Sequence, residues 1–298
     1  MNSVYKKWFA PFVLPAFILF AMVVLVPFVI GVLYSFSAWR GVYFAGGSNA
    51  FEAWVGFENY LRSFENENFR NAFVYTLKFT VMAVVVVNIV ALAQALLLHG
   101  LGKMVGFFRA TFFLPNLLGG LALGYIWLFI YENVFSKMLF GPDGLMPIDI
   151  LNNMTQDSGK NLLALLIMVT WQMSGYMMLI YITGLSNIPD DLYEAADIDG
   201  ANYWQKLRHV TFPMLMPSFT VVFFMVLSGC FKLLDPNVAL TNGEFSTRML
   251  ALQILRVPKD TTNNYGMAQA QSVVFFIIIA VVSLTQVVIT KRREIEAQ

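Results

Sequence analysis

Cysteine, histidine and charge are all scarce in this sequence. The single cysteine, Cys230, rules out an internal disulfide and a thiolate metal cluster. The two histidines, His99 and His209, lie far apart in the chain and suggest no metal site. Only 12% of residues are charged, where soluble domains carry about 25%. A net charge of +1 gives no basic excess for neutralising phosphates, so a nucleic-acid partner is not expected. No G-x-x-x-x-G-K-[ST] occurs. Gly102-Lys103 comes nearest, but Leu97 stands where the leading glycine belongs and Met104 where Ser or Thr should follow. G-x-S-x-G and H-E-x-x-H are absent as well. The chain is therefore not expected to be an enzyme or to carry a cofactor or metal. Any ATP-driven work would fall to a partner.

What the sequence has instead is apolar length: 58% of its residues are hydrophobic and 15% aromatic. Lys6 and Lys7 precede an apolar run from Phe9 to about Phe36. A signal-peptide core spans about 7–15 residues, so this longer run reads as an uncleaved first membrane span, with Pro11, Pro15 and Pro27 expected to bend it. Six spans fit the hydropathy: Phe9–Phe36, Ala72–Leu98, Phe108–Tyr131, Leu162–Leu185, Met214–Leu234 and Gln271–Thr290. The expected fold is an all-α polytopic membrane protein. With the N-terminus inside, the inner segments hold Lys6, Lys7, Lys103, Arg109, Lys206, Arg208, Lys291, Arg292 and Arg293. Lys and Arg are then roughly twofold denser inside than outside, which sets the orientation and places both termini in the cytoplasm. Outer loops of about 29–36 residues are too short to hold a core of their own.

A polar stretch, Ser186 to Pro217, separates the fourth and fifth spans and reads as two short helices. Ser186 or Asn187 can cap the first, Pro189 suits an early helical position, and Asp190 and Asp191 complement the N-terminal dipole. Leu192, Ala195 and Ala196 share one face of low relief, with Glu194 beside them. Gly200 follows the last turn, where left-handed geometry is needed. Asn202 can cap a second helix, expected to end before Pro213. On the residues alone, this is an amphipathic loop helix of unspecified role.

Glu194-Ala195-Ala196, three residues, Gly200, nine residues and Val210-Thr211-Phe212-Pro213 resemble the EAA loop of ABC-importer permeases, EAA-x3-G-x9-I-x-L-P. Val for Ile and Phe for Leu are mild departures. The resemblance implies a type I permease fold. It also implies a coupling helix that docks on a cytoplasmic ATPase through Tyr193, Glu194, Ala195, Ala196, Asp199, Gly200 and Pro213. Implied partners are a second, homologous permease in a heterodimer, a pair of P-loop ATPases carrying ATP and Mg, an extracytoplasmic solute-binding protein, a sugar and the lipid of a bacterial inner membrane. The corresponding division is residues 1–70 (first span and outer loop), 71–290 (transmembrane core, with the EAA loop at 186–213) and 291–298 (cytoplasmic tail).

Trp54-Val55-Gly56-Phe57-Glu58-Asn59-Tyr60 is similar to a stretch after the first span of sugar-importer permeases, although it also reads as an amphipathic interfacial segment. Phe108-Arg109, Phe113-Leu114-Pro115 and Tyr265-Gly266-Met267-Ala268 extend the resemblance over nearly the whole chain. Thr241-Asn242-Gly243-Glu244-Phe245 departs from it, replacing a commoner T-x-G-G-P turn.

Polar residues within spans are candidates for a solute path, because exposing them to lipid is costly. Gln172 and Tyr176 are four apart and share a helix face, an amide beside a ring, as sugar sites use. Packing between helices accounts for them equally well. The resemblance favours a path, with Asn116, Gln172, Met173, Tyr176, Gly229 and Cys230 as its residues. Asn88 and Gln94 fit helix packing, and Lys232, near Asp235, fits snorkelling or a local ion pair. No carboxylate lies well inside a span, which argues against the alternative of an ion-coupled secondary transporter. A scaffold subunit without a path is the third reading. Amide, hydroxyl and aromatic groups without an arginine cluster suit a neutral sugar.

Overall fold

The computed structural model describes residues 3–100 and 102–292, so Arg293 and the rest of the tail lie outside it. The described chain is helical. It has no strands beyond two isolated bridges, Ser37 with Trp54 and Trp39 with Phe44. In chain order the helices are α1 (Ser3–Phe20), α2 (Val26–Ser35), α3 (Glu58–Glu65), α4 (Glu67–Leu98), α5 (Val105–Phe113), α6 (Gly120–Phe129), α7 (Asn161–Ser186), α8 (Asp190–Ile198), α9 (Tyr203–Lys206), α10 (Phe212–Met214), α11 (Met216–Phe231), α12 (Asp235–Thr241), α13 (Leu250–Asp260) and α14 (Tyr265–Lys291). Two compact units divide them: Met1–Phe69 with Ile254–Ile277, and Arg70–Gln253 with Ile278–Gln298.

In the first unit, Pro11 and Pro15 lie inside α1, and the winding changes only ahead of Pro27, where Ala21–Leu25 form a π-helical turn. Proline offers no N–H to the carbonyl one turn back, and a wider turn in front of it relieves the ladder. The Trp54–Tyr60 segment turns at Gly56 and enters α3 with Asn59 directed inward. The buried Asn59 amide donates to the carbonyls of Ser35 and Ser37, both at 2.9 Å, and the Tyr60 hydroxyl lies 2.6 Å from Ser35 Oγ. The first of these bonds satisfies the Ser35 carbonyl, the last of α2, which no intrahelical N–H can reach.

The second unit is built on α7, more than half of whose apolar window is buried. Gly175 lets α5 come close, since a Cβ there would run into the Phe112 carbonyl. The Tyr181 hydroxyl donates to Asn88 Oδ1 of α4 at 2.6 Å, and Asn88 Nδ2 bonds back to Val84 O at 2.7 Å.

Among the described residues, four helices are long and apolar enough to cross a membrane, and two bent pairs, each taken as one span, bring the total to as many as six. The first bend corrects the expectation of a continuous third span; the second falls where the loop helix meets the start of the fifth. Val105–Leu117 and Gly120–Leu139 meet at 98°, and Tyr203–Met214 and Met216–Phe231 at 67°. Pro115 tightens Leu114–Leu117 into a 3-10 turn, and Gly119 is extended (φ −61°, ψ 142°), so the third span cannot run straight through them.

Candidate coupling loop and solute path

α7 ends at Ser186, whose hydroxyl bonds back to Ile182 O at 2.9 Å. The expected cap from Ser186 or Asn187 is therefore not made. Pro189 is the N-cap of α8, extended at ψ 134°, and its carbonyl accepts the Leu192 N–H at 3.2 Å. Asp190 and Asp191 fill the first turn, at the positive end of the helix dipole. At the far end, Ala201 N–H bonds to Ala196 O (2.9 Å) and Gly200 N–H to Asp197 O (3.0 Å). Together they form a Schellman closure, with Gly200 at φ +73° as its left-handed residue.

Asn202 opens the next helix with a reciprocal box. Its Oδ1 accepts the Gln205 N–H at 3.0 Å, and its own N–H donates to Gln205 Oε1 at 2.7 Å. The three-residue spacing of Asn202 and Gln205 carries that signal in the sequence. The helix does not stop before Pro213. It widens into a π turn at Leu207–Thr211, and Pro213 falls at the start of α10, where the winding changes and the missing N–H does least harm.

Two contacts fasten α8 to this second helix: Tyr193 Oη lies 3.0 Å from Thr211 Oγ1, and Lys206 Nζ lies 2.7 Å from Asp197 Oδ1. Between them and the end of α4 is a cleft of about 350 Å³, lined by His99, Asp190, Tyr193, Tyr203 and Lys206. Glu194, Ala195, Asp199 and Gly200 are exposed, whereas Tyr193, Ala196 and Pro213 are half-buried. Ile198 is 88% and Trp204 73% exposed, an unusual apolar display for a loop rich in carboxylates.

The intramembrane candidates fall into groups. Gln172 Nε2 donates to Leu118 O at 3.4 Å, the carbonyl freed where the third span breaks. Tyr176 packs on Phe113 with ring centroids 6.2 Å apart, and Asn116 sits half-buried in the intervening 3-10 turn. Met173 meets α11 at Gly229, where a Cβ would stand 3.2 Å from Met173 Cε. Cys230 is fully buried. Lys232 is exposed, and among the described residues no ion pair joins it to Asp235. The sequence reading gave no weight to the pairing of Tyr181 with Asn88, which only the helix packing brings together.

A polytopic helical membrane protein, with a polar loop fastened by side-chain contacts between its fourth and fifth spans, fits a membrane transport component. Residues 102–295 match the family model described as the binding-protein-dependent transport system inner membrane component. Two curated proteins align end to end. One, named "Probable starch degradation products transport system permease protein AmyD", from Thermoanaerobacterium thermosulfurigenes, is 38% identical over 97% of this chain and 96% of its own. The other is the multiple sugar-binding transport system permease protein MsmF of Streptococcus mutans, 31% identical over 97% of each. A chain in the crystal structure of a bacterial ABC transporter for import of the acidic polysaccharide alginate superposes with a TM-score of 0.77 over 97% of both, at 18% identity, so it shares the fold. The chain belongs to this family: it is a multi-pass inner-membrane permease subunit of the ABC-importer class.

Proposed function

We propose that this chain is one of two unlike membrane subunits of an ATP-driven oligosaccharide importer, and that α8 is the helix on which the ATPase pushes. The observation that carries the reading is the fastening of α8 to the helix that leads into α11. A helix held at Tyr193 and Asp197 passes its motion to the helix that leads into the span. Glu194, Ala195 and Ala196 would enter a groove on the ATPase, with Ile198 and Trp204 offering apolar contact beside them. ATP and Mg sit on that partner, and closure of the ATPase pair turns α7 and α11 between inward-facing and outward-facing states. The loop and both termini face the cytoplasm, as the Lys and Arg distribution supports. Asn116, Gln172, Met173, Tyr176, Gly229 and Cys230 flank the proposed path. The 1–70, 71–290 and 291–298 division is kept as a functional one: an accessory first span, the transport core and a tail.

The sugar class is supported by the full-length relatives, whose names specify starch degradation products and multiple sugars. Such solutes arrive on an extracytoplasmic binding protein. The test is purification of the tagged chain from its host in mild detergent, followed by reconstitution with whatever co-elutes. A P-loop ATPase, a second permease and ATP hydrolysis stimulated by loaded binding protein are expected. Isolation as a lone chain that moves sugar in response to an ion gradient would overturn the proposal.

A further inference from the structure

The loop that departs from the family turn, Thr241 to Phe245, has a use that the coupling reading leaves unexplained. It closes one side of a cleft of about 410 Å³, within the range of about 300–1,000 Å³ that small-molecule sites occupy. α6 and the residues after it supply Tyr125 and Glu132, the preceding loop Thr155 and Gln156, and the departing turn Asn242 and Phe245. On the orientation proposed above, this is the outer end of the spans.

Three features make it a site rather than a gap. The first is its pair of presented rings: Tyr125 is 59% and Phe245 50% exposed, although both line the cleft. The second is backbone strain held in place. Phe245 and Ser246 take φ of +53° and +62°, a region that bulky residues avoid and that proline, the commoner residue at this position, cannot enter. Asn161 Nδ2 donates to the Phe245 carbonyl at 2.7 Å. Asn237 ties the next turn down by donating to Thr247 O (2.8 Å) and accepting from Met249 N–H (3.1 Å). The ring is thus set in position before any ligand arrives. The third is Thr155, a hydroxyl-bearing residue that lines the cleft while only 3% exposed.

Apolar ring faces, a carboxylate, two amides and a buried hydroxyl, with no cationic side chain among them, match the alternating apolar and hydroxyl surfaces of a neutral hexose. We propose that this cleft is a sugar-binding subsite of the permease, separate from the path residues around Gln172. It takes one ring of an oligosaccharide on the polyhydroxyl edge through Glu132, Gln156 and Asn242, and on the apolar face through Tyr125 or Phe245. The inference rests on the oligosaccharide-importer reading.

The test uses the intact complex in lipid nanodiscs, with linear α-1,4-linked glucose oligomers as probes. Phe245→Gly removes the ring and keeps the left-handed backbone; Tyr125→Ala removes the other ring and Tyr125→Phe restores it. Direct binding without the binding protein, followed by saturation-transfer NMR, should weaken about tenfold in the first two variants and recover in the third. In uptake, KM should rise with kcat unchanged. Wild-type binding and KM in both ring-deletion variants of a complex that transports the oligomers would overturn the subsite and leave the importer reading standing. If the wild-type complex binds and transports no oligosaccharide, the importer reading fails and the subsite with it.

Discussion

Tyr193 Oη and Thr211 Oγ1 stand 3.0 Å apart, and either can donate to the other. This contact and the Lys206–Asp197 pair fasten α8 to the helix behind it, and on the proposed coupling role they would carry the push of the ATPase. A hydrogen bond of this kind contributes about 1 kcal/mol, and the ion pair, with its partly exposed carboxylate, about as much or less. Tyr193→Phe combined with Lys206→Ala should therefore leave ATP hydrolysis near wild type and lower sugar moved per ATP severalfold. Transport and hydrolysis measured together in proteoliposomes decide this, and an unchanged ratio would show that the tethers carry no force.

Gly200 tests the same linkage through the backbone. A Cβ there meets nothing within 4 Å, so substitution costs only the left-handed conformation, about 1–2 kcal/mol for a non-glycine residue. Gly200→Asn should retain most transport and Gly200→Val should lose it, with both variants inserted and assembled at normal levels. Equal transport by the two, in an assay of uptake against membrane-inserted protein, would remove the Schellman closure from the mechanism.

The Asn88–Tyr181 bond predicts a stability effect with a non-additive signature. Tyr181→Phe strands Asn88 Oδ1 in the core of the second unit, and Asn88→Leu strands the Tyr181 hydroxyl. Each single change should cost roughly 1–2 kcal/mol, and the double change less than their sum. Thermal unfolding in detergent reads all four corners of the cycle; strict additivity would show that the two groups do not interact.

The loop of the first unit carries a pH-dependent element. Glu52 accepts from the Ser48 hydroxyl (2.6 Å), the Ser48 N–H (2.8 Å) and the Asn49 amide (2.7 Å), and these bonds hold its carboxyl below the usual value. A lowered folded value means the order these bonds provide is present above the ordinary carboxylate pKa and is lost as pH falls through the lowered one. Hydrogen exchange at Ser48 should quicken in that acid range, and Ser48→Ala should move the onset to higher pH. An onset that ignores the substitution would assign the effect to another group.

Much of this fold is written in the sequence, because lipid imposes length and apolarity on every span. The Glu194 loop is legible for a related reason: Asp190, Asp191 and Gly200 act on their own helix and need no distant neighbour. Caps proved harder. Ser186 competes for two roles and is taken by the helix it ends, and Pro213 passes inside a helix because a wide turn precedes it. The break in the third span was hidden because a 3-10 turn leaves hydropathy untouched. Gln172 is the clearest case: its amide reaches Leu118 O only because the span opposite is broken. Sequence alone cannot pair residues whose partners exist only after such a bend.

The π turn at Leu207–Thr211 bears on the nine-residue interval between Gly200 and Val210. A π turn holds about one residue more than an α turn, and one residue of α-helix is about 100° of rotation. Deleting a single residue from Leu207–Thr211 would let the segment rewind as α-helix, with its hydrogen bonds intact and its hydropathy unchanged. The wide turn and the shorter α turn each close about one full rotation, so the side chains of α11 would keep nearly the same phase relative to α8. The π turn thus serves as slack in the chain, taking up one residue of loop length without re-aiming the helix that follows.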